Sequence, residues 1–198
     1  MTEVNLNLAA LVGSRICHDL ISPVGAITNG LELLDLAGAM QGPELELISD
    51  SVHSAAARIR FFRIAFGTAG EQGLDRAEIL SVLEWFSRGA RLEIVWSAPD
   101  AQPRRDVRLA FLALQCCESA MPFGGRVTVS VEDGDWMISG HADKLHADPD
   151  IWAHLEEGAA PGDVTPARVQ FALLPILAQE TGRRVSPSRG DGWVTIRF

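Results

Sequence analysis

The stretch SRICHDLISPVGAITNGLELL (residues 14–34) decides how the chain begins to fold. Apolar residues recur at spacings of three and four across residues 6–36, a pattern typical of one long amphipathic helix. Pro23 lies inside this pattern, although an interior proline costs a helix about 3 kcal/mol. The alternative is that Ser22 caps a new helix with Pro23 as its first residue. We favour a single helix, because the apolar period runs through Pro23 without a loop.

A second helical pattern follows over residues 45–66, after turn signals at residues 38–43. Two long helices with a short connection lie antiparallel. One helix cannot cover the apolar stripe of the other, so we expect the hairpin to form a homodimeric four-helix bundle about a two-fold axis. The segment GTAGEQG (residues 67–73) predicts a boundary between the hairpin, residues 1–67, and a second domain, residues 74–198.

The second domain alternates helical and strand patterns. Helices are predicted at residues 75–87, 105–121, 148–157 and 165–180, and strands at residues 92–96, 126–132, 135–140, 184–186 and 193–198. Asp133-Gly134 is a strong hairpin turn signal between two of these strands. Helices packed on a mostly antiparallel sheet predict an α+β fold.

Charge and composition exclude several functions. The chain has 198 residues, a formal net charge of −9, and Lys144 as its sole lysine. Lys144 lies between Asp143 and Leu145, so the sequence contains no P-loop. The negative charge argues against binding to nucleic acid or to an anionic membrane. Three cysteines without CxxC spacing, and a start unlike a signal peptide, predict a cytoplasmic location.

His18 has the most informative surroundings of the five histidines. On a helix it shares a polar face with Arg15 and Ser22 and lies about 200° from Ile16 and Leu20. We therefore expect its imidazole to point to solvent, where a partner can reach it. The alternative is an ordinary surface histidine, and the residues that follow it in the sequence favour a function.

The run His18-Asp19-Leu20, with Ser22-Pro23 and a later Ile27, resembles the phosphoacceptor box of sensor histidine kinases, His-Asp/Glu-Leu-x-Ser/Thr/Asn-Pro-Leu. Val24 replaces the last leucine of that box. The box lies on the first helix of a hairpin, which is where that family's dimerisation domain places it.

The kinase resemblance fails where the family binds ATP. Gln115 and Ser119 occupy the places of the two N-box asparagines, and Pro122 occupies that of a lysine. The place of the Asp-x-Gly-x-Gly motif reads GHADKLHA at residues 140–147, and no glycine-rich lid precedes the helix near Thr165. The shape of a kinase domain is retained while each nucleotide-contacting motif is lost.

A kinase-like hairpin joined to such a domain resembles the bacterial histidine phosphotransferases of the ChpT type, over nearly the whole chain. The resemblance implies a C-terminal α/β sandwich like a degenerate histidine-kinase ATPase domain, with neither ATP nor another cofactor. It also implies a phosphorelay role. The chain would accept a phosphoryl group from the receiver domain of a hybrid histidine kinase and pass it to response regulator receivers, with Mg²⁺ supplied by the receiver. The alternatives are a divergent ATP-dependent histidine kinase and a non-catalytic receiver-binding adaptor.

The resemblance assigns His18 as the phosphoacceptor. A neutral imidazole is a good nucleophile near pH 7. Asp19 would hydrogen-bond the ring and fix its tautomer, unless it is simply a solvated helix carboxylate. Ser22 would hydrogen-bond the phosphate or relieve the proline kink.

Charge is segregated along the hairpin. Residues 19–57 contain six acids and no lysine or arginine. Antiparallel pairing brings residues near position 64 level with His18. We therefore expect a basic collar around His18 that binds an acidic receiver surface and its phosphate, formed by Arg15, Arg58, Arg60 and Arg63. A solvated arginine face is the alternative.

Three other groups of residues are predicted to have structural and not catalytic or binding roles. The histidines and acids of residues 141–154 lack an ordered ligand spacing, so we predict that they bind no metal. Cys116-Cys117 falls in a helix that we expect to be buried. The tryptophans all lie in the second domain and are predicted to pack in its core.

Overall fold

A computed structural model describes residues 3–37, 43–67, 72–88, 91–99, 101–157 and 164–198. The chain begins with α1 (Glu3–Ala37) and α2 (Pro43–Ala65), which pack against each other. Helix α1 is continuous with Pro23 inside it, so the single-helix prediction is confirmed. The predicted turn between the helices falls mostly outside the described residues, as does most of the predicted boundary. None of the described helices combines the length and apolar composition needed to cross a bilayer.

Residues 73–198, here called the C-terminal part, form a mixed α and β structure. Its elements are β1 (Gly73–Asp75), α3 (Arg76–Ser87), β2 (Leu92–Trp96), β3 (Ala101–Pro103), α4 (Arg104–Ser119), β4 (Gly125–Glu132), β5 (Asp135–His141), α5 (Pro149–Glu157), a 3-10 turn (Pro166–Arg168), α6 (Val169–Glu180), β6 (Ser186–Gly190) and β7 (Trp193–Arg197). Five strands form one sheet in the order β2-β4-β5-β7-β6. Only the β2–β4 pair of that sheet is parallel, so the predicted α+β class is confirmed.

Local sequence signals account for several element ends. A side-chain oxygen of Asp75 accepts a hydrogen bond from the Glu78 amide at 2.7 Å, which caps α3 as predicted. Asp133 and Gly134 have φ values of 51° and 88° and close the β4–β5 hairpin. Positive φ at both positions is the requirement of a type I′ turn, which explains the strength of the Asp-Gly signal.

The structure differs from the sequence prediction at the last pair of strands. Strand β6 covers Ser186–Gly190 rather than residues 184–186, and the turn before β7 is only Asp191-Gly192. The sequence SPSRG is not strand-like, but β6 lies at the sheet edge, where Pro187 is tolerated. The β1–β3 ribbon was also not predicted, because three-residue strands are too short to show a period.

Two apolar clusters join the hairpin to the C-terminal part. Phe61 of α2 is fully buried, and its ring centroid lies 4.1 Å from that of Phe86 in α3 and 4.5 Å from that of Phe111 in α4. A smaller cluster packs Leu8 of α1 against Val169 and other residues around α6. Burying such side chains contributes roughly 1.5–3 kcal/mol each. Each helix of the hairpin is therefore anchored to the C-terminal part by buried side chains.

Candidate functional site

His18 lies on the exposed side of α1. Its side chain is 83% accessible to solvent, which confirms the predicted orientation. Ser22, one turn further along α1, is also exposed, whereas Pro23 is buried. Helix α1 thus presents an imidazole and a hydroxyl on one open face, with the proline turned inward.

Asp19 holds the His18 ring on one side. Asp19 Oδ1 lies 3.0 Å from His18 Nδ1, and Asp19 Oδ2 accepts a hydrogen bond from Arg15 Nε at 2.7 Å. A carboxylate can only accept hydrogen bonds, so the proton of the neutral ring resides on Nδ1. The lone pair is then on Nε2, the nitrogen that Asp19 does not engage. The role of Asp19 in fixing the tautomer stays a prediction.

Arg15 is directed towards the protein rather than the solvent. Its side chain is only 18% exposed, and its Nη1 donates to the backbone oxygen of Ala167 at 2.8 Å. Ala167 belongs to the 3-10 turn that precedes α6. Arg15 therefore links Asp19, the neighbour of His18, to the C-terminal part, a contact that its predicted role in phosphate binding did not anticipate.

A cleft of about 470 Å³ begins one turn from His18; we call it the Arg58 cleft. It lies between α1, α2 and α3 and is lined by Ser22, Pro23, Ala26, Asp50, Ser51, Ser54, Arg58, Trp85 and Arg88. Ser22 and Ala26 of α1 therefore line the same cleft as Ser54 and Arg58 of α2.

Arg58 contributes an unpaired donor to this region. Its Nε is buried and, among the described residues, has no hydrogen-bond partner, while its guanidinium carbon lies 5.7 Å from the centroid of the Phe86 ring. On the opposite wall, Arg88 lies 4.3 Å from the ring centroid of Trp85, whose other neighbour is the stacked ring of His53. The Arg58 cleft thus carries two guanidinium groups beside hydroxyls and an aromatic surface.

Arg60 and Arg63 differ from Arg58 in direction. At about 100° per residue, Arg58 lies about 160° from Arg60 and about 140° from Arg63 around α2. Both are exposed, Arg60 Nε donates to Ala56 O of its own helix at 3.4 Å, and among the described residues neither side chain makes a polar contact with α1. The sequence placed these three arginines at one level of the hairpin but did not separate their directions. Their part in phosphate binding stays a prediction.

Glu118 was not predicted to belong to the site. It lies on the face of α4 that also carries Arg108, whose Nε donates to Ala65 O of α2 at 3.3 Å, and Phe111. Burial raises the pKa of the Glu118 carboxyl, the positive charges of Arg15 and Arg58 oppose that rise, and the negative charge of Asp19 adds to it. The spacing of seven residues from Phe111 would have placed Glu118 on this face once α4 was known to pack on α2.

Of the remaining sequence candidates, Gln115, Cys116 and Cys117 are buried, whereas Ser119 is exposed. Gln115, at the first N-box position, is buried, and neither of its side-chain polar atoms has a hydrogen-bond partner among the described residues. Ser119 Oγ donates to Cys116 O at 2.7 Å. Cys116 and Cys117 are buried as predicted, and burial raises the pKa of both thiols, that of Cys117 to about 12. Within the described ranges, no three or more His, Cys, Asp or Glu side chains are grouped as a metal site.

The comparisons with known proteins identify the family. A family model, the histidine phosphotransferase C-terminal domain, matches residues 76–192. Protein phosphotransferase ChpT of Brucella abortus (strain 2308) is 39% identical over 189 residues, which are 91% of this chain and 90% of that protein. A solved structure of a bacterial phosphotransferase is 34% identical, with a TM-score of 0.81 and coverage of 100% of this chain and 98% of that one. The chain therefore belongs to the ChpT-type histidine phosphotransferases and is a phosphotransferase of phosphorelays.

Proposed function

We propose that this phosphotransferase carries the phosphoryl group on Nε2 of His18 and shuttles it between aspartates of receiver domains. The observation that supports this most strongly is the pairing of an exposed ring with a nearly buried carboxylate. Asp19 is 12% exposed and lies at Nδ1, while Nε2 is available to a partner. An exposed nucleophile with a fixed tautomer is what in-line transfer from a docked partner requires.

The proposed transfer needs no reactant other than His18 and the phosphorylated receiver. The Nε2 lone pair attacks the phosphorus of the receiver's aspartyl phosphate, and an N–P bond forms. The bond between the phosphorus and the carboxyl oxygen of the receiver's aspartate breaks, and its electrons stay on that carboxylate. The imidazole gains positive charge while Nδ1 keeps its proton. Asp19 stabilises that charge through the hydrogen bond it already accepts. Transfer to a second receiver reverses these steps, and the Mg²⁺ that neutralises phosphoryl oxygens is expected from the receiver.

The Arg58 cleft is the surface we propose for receiver docking. It adjoins His18 through Ser22 and is lined by Arg58 and Arg88, with Arg88 Nη2 lying 3.8 Å from Asp50 Oδ1. The positive charges of the two guanidinium groups would attract an acidic partner surface. The donor in this proposal is the receiver of a hybrid histidine kinase, and the acceptors are response regulator receivers.

The hairpin also presents a large apolar surface, which supports the predicted homodimer. Among the described side chains of α1 and α2, nine large apolar ones are exposed in the single chain: Ile21, Val24, Leu31, Leu33, Leu36, Leu45, Leu47, Val52 and Ile59. Clusters of this kind mark interfaces. We propose that two hairpins bury these residues in a four-helix bundle, which sedimentation equilibrium of the full chain tests.

The free thiols Cys116 and Cys117 fit the cytoplasmic location that receivers occupy.

The deciding experiment incubates the full chain with a phosphorylated receiver and follows acid-labile phosphate. We expect labelling of the wild type and none of His18→Ala, followed by passage to a second receiver. Labelling of His18 from ATP alone would favour the divergent kinase. Receiver binding without any labelling would favour the adaptor, and relay by His18→Ala would contradict the assignment of the phosphoacceptor.

A further inference from the structure

We propose that Arg15 and Gln170 are positioning residues, and that they form a relay through which the C-terminal part sets the tautomer of His18. The inference rests on the proposed function, because it assigns roles within phosphotransfer. It departs from the sequence prediction for Arg15, which gave that residue a direct contact with phosphate. It also gives the C-terminal part a chemical task beyond bracing the hairpin.

The relay converges on one backbone oxygen. Ala167 O accepts a hydrogen bond from Arg15 Nη1 at 2.8 Å and another from Gln170 Nε2 at 3.1 Å. Gln170 belongs to α6 and is 1% exposed, so its amide is confined by the core. Its Oε1 is buried without a hydrogen-bond partner among the described residues, so its side chain contacts polar groups of that part of the chain through Nε2 and Ala167 O. The carbonyl that receives Arg15 is thus held from inside the C-terminal part.

Arg15 can serve both of its acceptors because of its shape. Nε donates to Asp19 Oδ2 at 2.7 Å while Nη1 of the same guanidinium donates to Ala167 O. The planar fork of arginine directs two N–H groups at once, whereas the ammonium of lysine is a point charge without that fixed geometry. Lysine at position 15 would keep the charge and lose the simultaneous contacts.

Packing keeps the ends of the relay in place. Leu8 of α1 packs with Val164, Val169 and Ala172 around the start of α6. The 3-10 turn is closed by the Arg168 amide, which donates to Thr165 O at 2.9 Å. The start of α1 is therefore anchored to the same segment whose carbonyl receives Arg15. Breaking the polar contacts should leave this apolar junction intact.

The relay ends at the His18 ring. Asp19 Oδ2 is occupied by Arg15, so the carboxylate can turn only Oδ1 towards His18 Nδ1. Without Arg15, the carboxylate is free to rotate towards solvent, and the second ring tautomer, with its proton on Nε2, becomes populated. That tautomer has no lone pair on the exposed nitrogen. The relay therefore controls the fraction of chains that are ready for attack.

The test compares Arg15→Lys and Gln170→Leu in the full chain. The matched controls are Arg126→Lys, an exposed arginine of β4, and Gln179→Leu, an exposed glutamine of α6. The first readout is the ¹⁵N signals of the His18 ring, recorded without any receiver. The second is the single-turnover rate of transfer from a phosphorylated receiver, measured over a range of receiver concentrations.

We expect Arg15→Lys to shift the ring signals towards the second tautomer and to lower the saturated transfer rate roughly tenfold or more, with little change in the half-saturating receiver concentration. Gln170→Leu should act in the same direction by roughly 2- to 10-fold. It keeps a similar volume and removes an unpaired buried oxygen, so we expect it to fold. The control variants should match the wild type in both readouts.

Unchanged ring signals in both variants would overturn the relay, whatever the transfer rates. A rise in half-saturating concentration with an unchanged saturated rate would also overturn it, because that result assigns Arg15 to docking. The ring signals need no phosphoryl donor. Failure of His18 to accept phosphate at all would therefore contradict the proposed function while the tautomer measurement still decides the relay.

Discussion

Replacing Asp19 by asparagine changes one atom of the site and should invert the His18 tautomer. In the wild type, both Asp19 oxygens accept: Oδ2 from Arg15 Nε and Oδ1 from His18 Nδ1. Asparagine has one oxygen and one NH₂ group. Because arginine is an obligate donor, the amide oxygen turns to Arg15 and the NH₂ faces the ring. His18 Nδ1 must then accept, and the proton moves to Nε2.

The size of the effect follows from the hydrogen bond that is lost. A hydrogen bond to a charged group contributes about 1.5–3 kcal/mol, and we take the lower end because the His18 partner is 83% exposed to solvent although Asp19 is only 12% exposed. Each 1.36 kcal/mol of barrier is a factor of ten in rate. We therefore expect Asp19→Asn to slow phosphorylation of His18 by about tenfold at saturating receiver.

The assay is rapid-quench phosphotransfer from a phosphorylated receiver, with the ring tautomer followed by ¹⁵N NMR of the same sample. Glu32→Gln is the matched control, because Glu32 is an exposed carboxylate on the same helix. It should transfer at the wild-type rate. If Asp19→Asn transfers as fast as Glu32→Gln, or slows without inversion of the tautomer, the carboxylate does not act by fixing the ring.

Three further outcomes are expected. Arg58→Ala should raise the half-saturating receiver concentration roughly tenfold at low salt and less at high salt, measured in the same assay, if Arg58 meets an acidic partner. Glu118→Gln should raise the midpoint of thermal unfolding at pH 8 and not at pH 4. Because the folded-state pKa of Glu118 is raised above 4.5, its protonation stabilises the fold at low pH, and that stability is lost as pH rises through the folded pKa. Phe61→Ala should cost about 3–5 kcal/mol in urea unfolding, since its buried ring stacks on two others.

The two helices of the hairpin and the exposure of His18 could be predicted because the information is local. A period near 3.6 fixes which face of α1 is apolar, and so it placed His18 in solvent before any tertiary contact was known. The contact between His18 and Asp19 joins neighbours in the chain. The Asp75 cap and the Asp133-Gly134 turn were predictable for the same reason.

The partners contributed by the C-terminal part could not be predicted in this way. Arg15 donates to Ala167, which is 152 positions away in the sequence. The acceptor is a backbone oxygen, which every residue type has, so the sequence does not single it out. From the sequence, an arginine beside a candidate phosphoacceptor is more readily interpreted as a phosphate ligand. The structure shows that its side chain instead points to the 3-10 turn, which packs beside it. Glu118 needed the packing of α4 on α2, and the directions of the α2 arginines needed the orientation of that helix.

The groups behind His18 are far more buried than His18 itself, and this contrast explains how an exposed side chain can be kept ordered. The side chain of His18 is 83% exposed, while Asp19 and Arg15 are mostly covered and Gln170 is in the core. In the proposed transfer a receiver approaches Nε2 closely, so the ring itself cannot be packed. Its orientation must instead come from the nitrogen that faces inward, through groups whose own freedom is already removed by packing. The C-terminal part supplies that packing at Ala167 and Gln170, and a hairpin without it would hold Asp19 by contacts within α1 alone.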